Sequence, residues 1–305
     1  MEDKRFNYRK VKKKYLKFLN SQEVMSEPFR DKLRQLNRFY LPISKMIKEE
    51  CLKKKKTKLI GLSGSQGTGK STISNILKII LKEAYNLETT IFSIDDFYKT
   101  LHERKKMSKK ISDLFLTRGV PGTHDTKILF QSIKNLKNNK FKKFNIPKFD
   151  KSIDDRTPKS KWLKVKKKPN IVIFEGWCVG AMAQKKNDLN SPVNKLEKEK
   201  DIKKVWRQKV NSELQKDYKK IFKLIDKLIF LKVPSFKYVF KWRLLQEKKL
   251  RISGKGNKIM TDKQIENFVM YYERITKHML KTLPRKADTV ISIDEKNNLH
   301  TIIFN

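Results

Sequence analysis

The chain has 305 residues, with 74 Lys and Arg against 32 Asp and Glu, for a formal net charge of +42. Its two cysteines, Cys51 and Cys178, lie far apart and give neither a disulfide framework nor zinc-ligand spacing. No apolar run approaches the length of a membrane span, and no apolar segment follows the charged stretch from Met1 to Lys14. A reducing, cytoplasmic setting without a secretory signal is therefore expected. The lysine surplus is spread over every segment, so specific nucleic-acid binding is not expected from it, although its field would favour an anionic substrate.

Residues 1–57 read as a helical, peripheral extension. Tyr15, Leu16, Phe18 and Leu19 form one apolar cluster, and Phe29, Leu33, Leu36, Phe39 and Tyr40 another at helical spacing, which Pro42 is expected to break. Lys53 to Lys56 read as a solvated approach to a first strand. The stretch Lys58 to Leu62 is apolar in strand style. Gly64-Ser65-Gln66-Gly67-Thr68-Gly69-Lys70-Ser71 fits G-x-x-x-x-G-K-[ST], and Ile73, Ile76, Leu77, Ile80 and Leu81 continue at helical spacing. Strand, small-residue loop and helix N-terminus are the parts that wrap a polyphosphate with backbone N–H groups. Gly64 through Thr72 are thus the expected ATP cradle. Lys70 is placed to reach the β- and γ-phosphates, and the Ser71 hydroxyl to ligate Mg²⁺.

A short β-rich run, Thr89 to Ile94, leads straight into Asp95-Asp96-Phe97-Tyr98. Residues 101–117 are charged and read as helix. Arg118 to Asp125 form a loop punctuated by Gly and Pro, with Asp125 placed to cap a helix through Ile128, Leu129 and Ile133. A turn-rich stretch, Ile146 to Arg156, precedes Ile171 to Phe174, a continuous apolar strand ending at Glu175. Lys203 to Lys223 reads as helix, Leu228 to Leu231 as a buried strand and Phe236 to Arg251 as helix. The glycines of Gly254-Lys255-Gly256, next to Arg243 and Arg251, suggest a lid near 243–260 that brings charge to the γ-phosphate. Thr261 is placed to cap a helix through Ile265 and Tyr272. Thr289 to Ile293 is a last strand, with His300 to Phe304 as an edge partner. About five strands alternating with helices predict an α/β three-layer sandwich of the P-loop NTPase kind, with a mostly parallel sheet over 58–305 and the helical N-terminal extension ahead of it.

Phosphoryl transfer needs a phosphate cradle, metal ligands, positive charge and a base for the acceptor hydroxyl. Asp95, at a strand end, is the candidate base, and Glu175 the second metal-side carboxylate. His124 reads equally as a structural hydrogen-bonder and as a substrate contact. Arg118 and Arg156 could pair with an anionic substrate. Trp177, Trp206, Trp242 and the Cys178 thiol read as core.

Several of these motifs together resemble the D-glycerate 3-kinase family. They are Ser93-Ile94-Asp95-Asp96-Phe97-Tyr98, Arg118-Gly119-x-Pro121-Gly122-Thr123-His124-Asp125, Pro147-x-Phe149-Asp150-Lys151-Ser152 with Asp155-Arg156, and Phe174-Glu175-Gly176-Trp177. The wider group is that of phosphoribulokinase, uridine kinase and pantothenate kinase. The resemblance implies Mg²⁺- and ATP-dependent phosphorylation of a small-molecule hydroxyl, with glycerate as acceptor. It implies Asp95 as base, Lys70, Arg243 and Arg251 as catalytic cations, and Ser71 and Glu175 as metal ligands. Asp96, Tyr98, Arg118, His124, Asp150, Lys151 and Arg156 would frame the acceptor. The chain departs from plant-type relatives at Cys178-Val179-Gly180-Ala181 and in the shorter loop before Asp155-Arg156, both on the acceptor side. The alternatives are a kinase of pantothenate, a nucleoside or a sugar phosphate, and a basic nucleotide-dependent nucleic-acid-binding protein.

Overall fold

The computed structural model describes residues 6–23, 29–53, 56–252 and 260–305; the side chains at 246 and 249–252 lie outside that description. Six strands form the central sheet: β1 (Lys58–Gly64), β2 (Thr89–Ser93), β3 (Ile171–Gly176), β4 (Lys227–Lys232), β5 (Thr289–Ile293) and β6 (Leu299–Phe304). Their order is β6-β5-β4-β1-β3-β2, parallel throughout except for β6, which folds back antiparallel on β5. β1 and β3 are buried along their whole length, which is why they read as continuous apolar runs.

Alternate residues of these strands feed two cores. Ile60, Leu62, Ile171 and Ile173 face one side; Leu59, Val172 and Phe174 face the other. The first side is covered by α1 (Tyr8–Gln22), α2 (Leu41–Lys53), α3 (Lys70–Tyr85) and α7 (Phe236–Ile252). The second is covered by α5 (Thr126–Lys137), α6 (Val205–Glu213) and the C-terminal half of α8 (Asp262–Thr282), with α4 (Leu101–Lys110) beside it. Asp125 and Thr261 cap their helices as expected, their side chains accepting from Ile128 N and Gln264 N.

Three readings need correction. The N-terminal helices are not peripheral: Val11, Tyr15, Phe39, Ile43 and Ile47 are almost fully buried against α3 and the sheet. Pro42 breaks nothing. The helix runs on from Lys32 to Lys53, and a π-helical turn, Leu36–Tyr40, widens the spiral just ahead of the proline; Leu41 N donates to Leu36 O, so the ladder is already out of α-helical register where the proline lacks its N–H. The 101–117 segment is helical only to Lys110 and ends in a separate 3₁₀ turn, Asp113–Leu116. The 203–223 stretch is helical as expected, with a π-helical turn, Leu214–Tyr218, between α6 and a last turn, Lys219–Phe222. The glycines at 254 and 256 fall outside the described residues. Among the described residues, no helix is long and apolar enough to cross a membrane.

Candidate active site

Parallel register sets the site. Leu62 of β1 pairs with Glu175 of β3, and Ser93 of β2 pairs with the same Glu175. The tips of three strands therefore end on one level, where ligands of open α/β sheets bind.

The loop leaving β1 carries the cradle, Gly64 to Thr72. Gly67 and Gly69 hold φ of +80° and +75°, a region that disfavours side chains. The Ser65 carbonyl accepts from Thr68 Oγ1 at 2.8 Å and from Lys70 Nζ at 2.9 Å, so the loop is closed on itself with Lys70 folded across it. Burial holds the Lys70 ammonium below its ordinary pKa, against the opposing pull of Glu175 and Asp95. The Gln66 Oε1 atom is buried without a partner among the described residues. Two distant elements brace the loop. Trp242 of α7 lies against Gly67, and Asn297, in the β5–β6 turn, donates to the Gly67 carbonyl at 3.0 Å.

Ser71 opens α3 and Glu175 ends β3, and they meet: Ser71 Oγ donates to Glu175 Oε1 at 3.1 Å. Burial raises the Glu175 carboxyl, while Lys70 works to lower it. A hydroxyl and a carboxylate are hard oxygen donors of the kind Mg²⁺ takes alongside substrate phosphates. Among the described residues no group of three or more His, Cys, Asp or Glu could hold a metal without such help.

Asp95 lies just past β2. Its Oδ1 accepts from Tyr98 OH at 2.8 Å and its Oδ2 from Lys151 Nζ at 2.7 Å. Burial alone would raise this carboxyl; the Lys151 charge and both hydrogen bonds outweigh it and hold it well below the usual carboxylate range. Asp96 has a local task. It closes a capping box by accepting from Ser93 N at 3.0 Å, and it pairs with Lys148 at 2.9 Å, yet burial still leaves its carboxyl raised.

Tyr98 stacks on His124, with ring centroids 4.5 Å apart, and meets the Phe149 ring edge-on. His124 is 1% exposed, and burial pushes its pKa down to about 3 despite nearby Asp95, so the ring is neutral. Its Nδ1 lies 2.5 Å from Tyr218 OH, and its Nε2 has no partner among the described residues. The Nδ1 contact gives His124 a structural hydrogen bond, and Nε2 remains the ring atom open to a substrate. Tyr218 itself was not singled out in sequence; the π-helical turn that places it had no signature there.

The hairpin Phe149–Asp150/Asp155–Arg156 walls the other side. Asp150 is used inside it, accepting from Ser152 N and Oγ. Lys151 leaves the turn and reaches Asp95. Asp154, at φ 57°, accepts from Arg118 and pairs with Arg104 at 3.1 Å. The fully buried Arg104, also unannounced by sequence, ties the turn to Leu116 O and Lys99 O. Arg156 donates to Tyr98 O at 3.0 Å and pairs with Asp125 at 3.4 Å. Arg243 pairs with Glu247 at 2.5 Å, and Glu247 in turn accepts from Met260 N at 2.9 Å. The side chain of Arg251 lies outside the description. Trp177, Trp206, Trp242 and Cys178 are core, with Trp177 donating to Gly119 O.

The sheet order, the glycine-lined loop and the Ser71–Glu175 pair define a P-loop kinase fold. Residues 59–218 match the phosphoribulokinase / uridine kinase family, and the chain belongs to it. It is 33% identical over 237 residues to an uncharacterized kinase of Schizosaccharomyces pombe, covering 75% of this chain and 83% of that one. It is 30% identical over 256 residues to the chloroplastic D-glycerate 3-kinase of Arabidopsis thaliana, spanning 79% of this chain but only 53% of that enzyme. The fold is similar to that of D-glycerate 3-kinase from Cryptococcus neoformans, with a TM-score of 0.73 at 22% identity over 87% of this chain and 99% of that one. The protein is therefore a kinase.

Proposed function

We propose that this kinase transfers the γ-phosphoryl group of ATP to the 3-hydroxyl of D-glycerate, with Asp95 as general base. The observation that carries the reading is the meeting of three groups at one level: the Lys70 cradle, the Ser71–Glu175 pair and the Asp95 carboxylate. The relative named D-glycerate 3-kinase supports the choice of acceptor.

The loop amides and Lys70 hold the β- and γ-phosphates, and Lys70 must leave the Ser65 carbonyl to do so. Ser71 and Glu175 would hold Mg²⁺, which supplies charge neutralisation on the phosphates. Asp95 accepts the proton of the acceptor hydroxyl as its oxygen bonds to the γ-phosphorus. The bond from that phosphorus to the β–γ bridging oxygen breaks, and ADP leaves with the electron pair. Arg243, paired with Glu247 on the helix braced against Gly67, covers the transferred group.

The test is Asp95→Asn with a panel of D-glycerate, pantothenate, uridine and ribulose 5-phosphate, read as ADP release. The variant should bind ATP normally yet lose about 10²-fold or more in kcat. Full turnover by Asp95→Asn would remove Asp95 from the base role. Turnover of uridine and none of glycerate would overturn the acceptor.

A further inference from the structure

The cations around the acceptor side are unequally committed. Arg118 is paired with Asp154, Arg156 with Asp125, and Lys148 with Asp96. Each of those carboxylates is itself fixed: Asp154 is clamped by the buried Arg104, Asp125 caps α5, and Asp96 closes a capping box. Removing any of these cations from its partner would undo a structural joint. Lys151 differs. It sits in a hairpin turn, its side chain is 61% exposed, and the carboxylate it holds is Asp95, which has no capping duty of its own. Both Asp95 oxygens are nevertheless occupied, one by Tyr98 and one by Lys151. A carboxylate so engaged is a weak base at Oδ2 until the ammonium withdraws, because Lys151 takes one lone pair and its charge opposes protonation.

We infer that Lys151 is a specificity-determining residue that exchanges partners, releasing Asp95 Oδ2 and taking the carboxylate of an anionic acceptor. This rests on the reading of Asp95 as base. The exchange trades one charge-assisted hydrogen bond for another, so it costs little, and only an acceptor bearing its own anion offers the second bond. A neutral alcohol leaves Lys151 on Asp95 and meets a weakened base. So does a water molecule in the acceptor site, and the ion pair therefore also restrains ATP hydrolysis while no acceptor is bound. Specificity comes from coupling recognition to release of the base, in addition to attraction itself. The exposed position of Lys151 gives its side chain room to swing, whereas the far end of the turn is held at Asp154 by Arg104 and the stem by Arg156, which donates to Tyr98 O.

The test compares D-glycerate with glycerol, which keeps the three-carbon hydroxylated skeleton but lacks the carboxylate. Three variants are used: Lys151→Met, Lys151→Arg and Asp95→Asn. Lys151→Met should reduce the ratio of kcat/KM for glycerate over glycerol by about 10²-fold. It should also raise acceptor-free ATP hydrolysis by at least about tenfold, because Asp95 is no longer held by an ammonium. Lys151→Arg, which keeps a charged donor, should retain most of the glycerate preference. An unchanged glycerate-to-glycerol ratio in Lys151→Met, or acceptor-free hydrolysis no higher than in the parent, would overturn the exchange. If Asp95→Asn is inactive while Lys151→Met behaves as the parent, the exchange fails and the base stands. If Asp95→Asn turns over normally, the base reading itself has failed.

Discussion

Replacing Gly67 with alanine tests whether the phosphate loop and α7 are in fixed contact. A Cβ at Gly67 would lie 2.9 Å from Trp242 Cβ and 3.4 and 3.5 Å from that residue's backbone C and O. None of those atoms moves when the Trp242 side chain changes rotamer, so the helix as a whole must shift. Gly69 supplies the control, because its φ is +75° and a Cβ there would meet nothing within 4 Å. Both substitutions carry the left-handed penalty of about 1–2 kcal/mol, partly offset by about 0.4–1 kcal/mol from a more restricted unfolded chain. Only Gly67→Ala adds the overpacking cost of about 1–3 kcal/mol. Urea unfolding without nucleotide should therefore place Gly67→Ala below Gly69→Ala in stability by about that last amount. Equal midpoints and slopes for the two variants would refute the contact.

His124 gives the protein an acid-sensitive joint. Its folded pKa is held down to about 3 by burial, against 6.5 for the free side chain. Between those values the unfolded chain takes up a proton that the native state refuses. Its contribution is thus full above 6.5 and is lost as pH falls toward 3, at up to about 1.4 kcal/mol per unit. Urea unfolding from about pH 7 to about pH 5 should show a shallower loss for His124→Gln than for the parent, and equal slopes would refute the assignment. Glu175→Gln should raise the Mg²⁺ concentration for half-maximal rate by at least about tenfold, as for loss of a partner around a bound metal. Titration of Mg²⁺ at saturating ATP measures this, and an unchanged curve would remove Glu175 from the metal site.

The sheet was readable because buried parallel strands must be apolar without interruption. Ile171 to Phe174 and Leu228 to Leu231 could hardly be anything else once Gly64 to Ser71 had been placed. Capping was readable for the same local reason, since Asp125 and Thr261 act on N–H groups only three residues away. What escaped was set by distance in sequence. Tyr218 and His124 are 94 residues apart, and Asn297 and Gly67 are 230 apart. Nothing near Tyr218 or Asn297 betrays those partners. Arg104 looks like any residue of a charged helix until the fold buries it. Asp150 adds a local role that its motif did not announce: it closes its own turn by accepting from Ser152 N and Oγ.

The level at which the three strand tips end also divides the molecule by origin. The triphosphate half is made by β1, α3 and β3, whose ends are locked together by the sheet register. The half proposed for the acceptor is the stretch from Asp95 to Arg156, which enters no central strand and is held by its own arginines. On the proposed reading, drift in that stretch would retarget the enzyme toward a new alcohol while the energy-donating half stays as it is, so one scaffold would supply kinases for chemically unrelated acceptors.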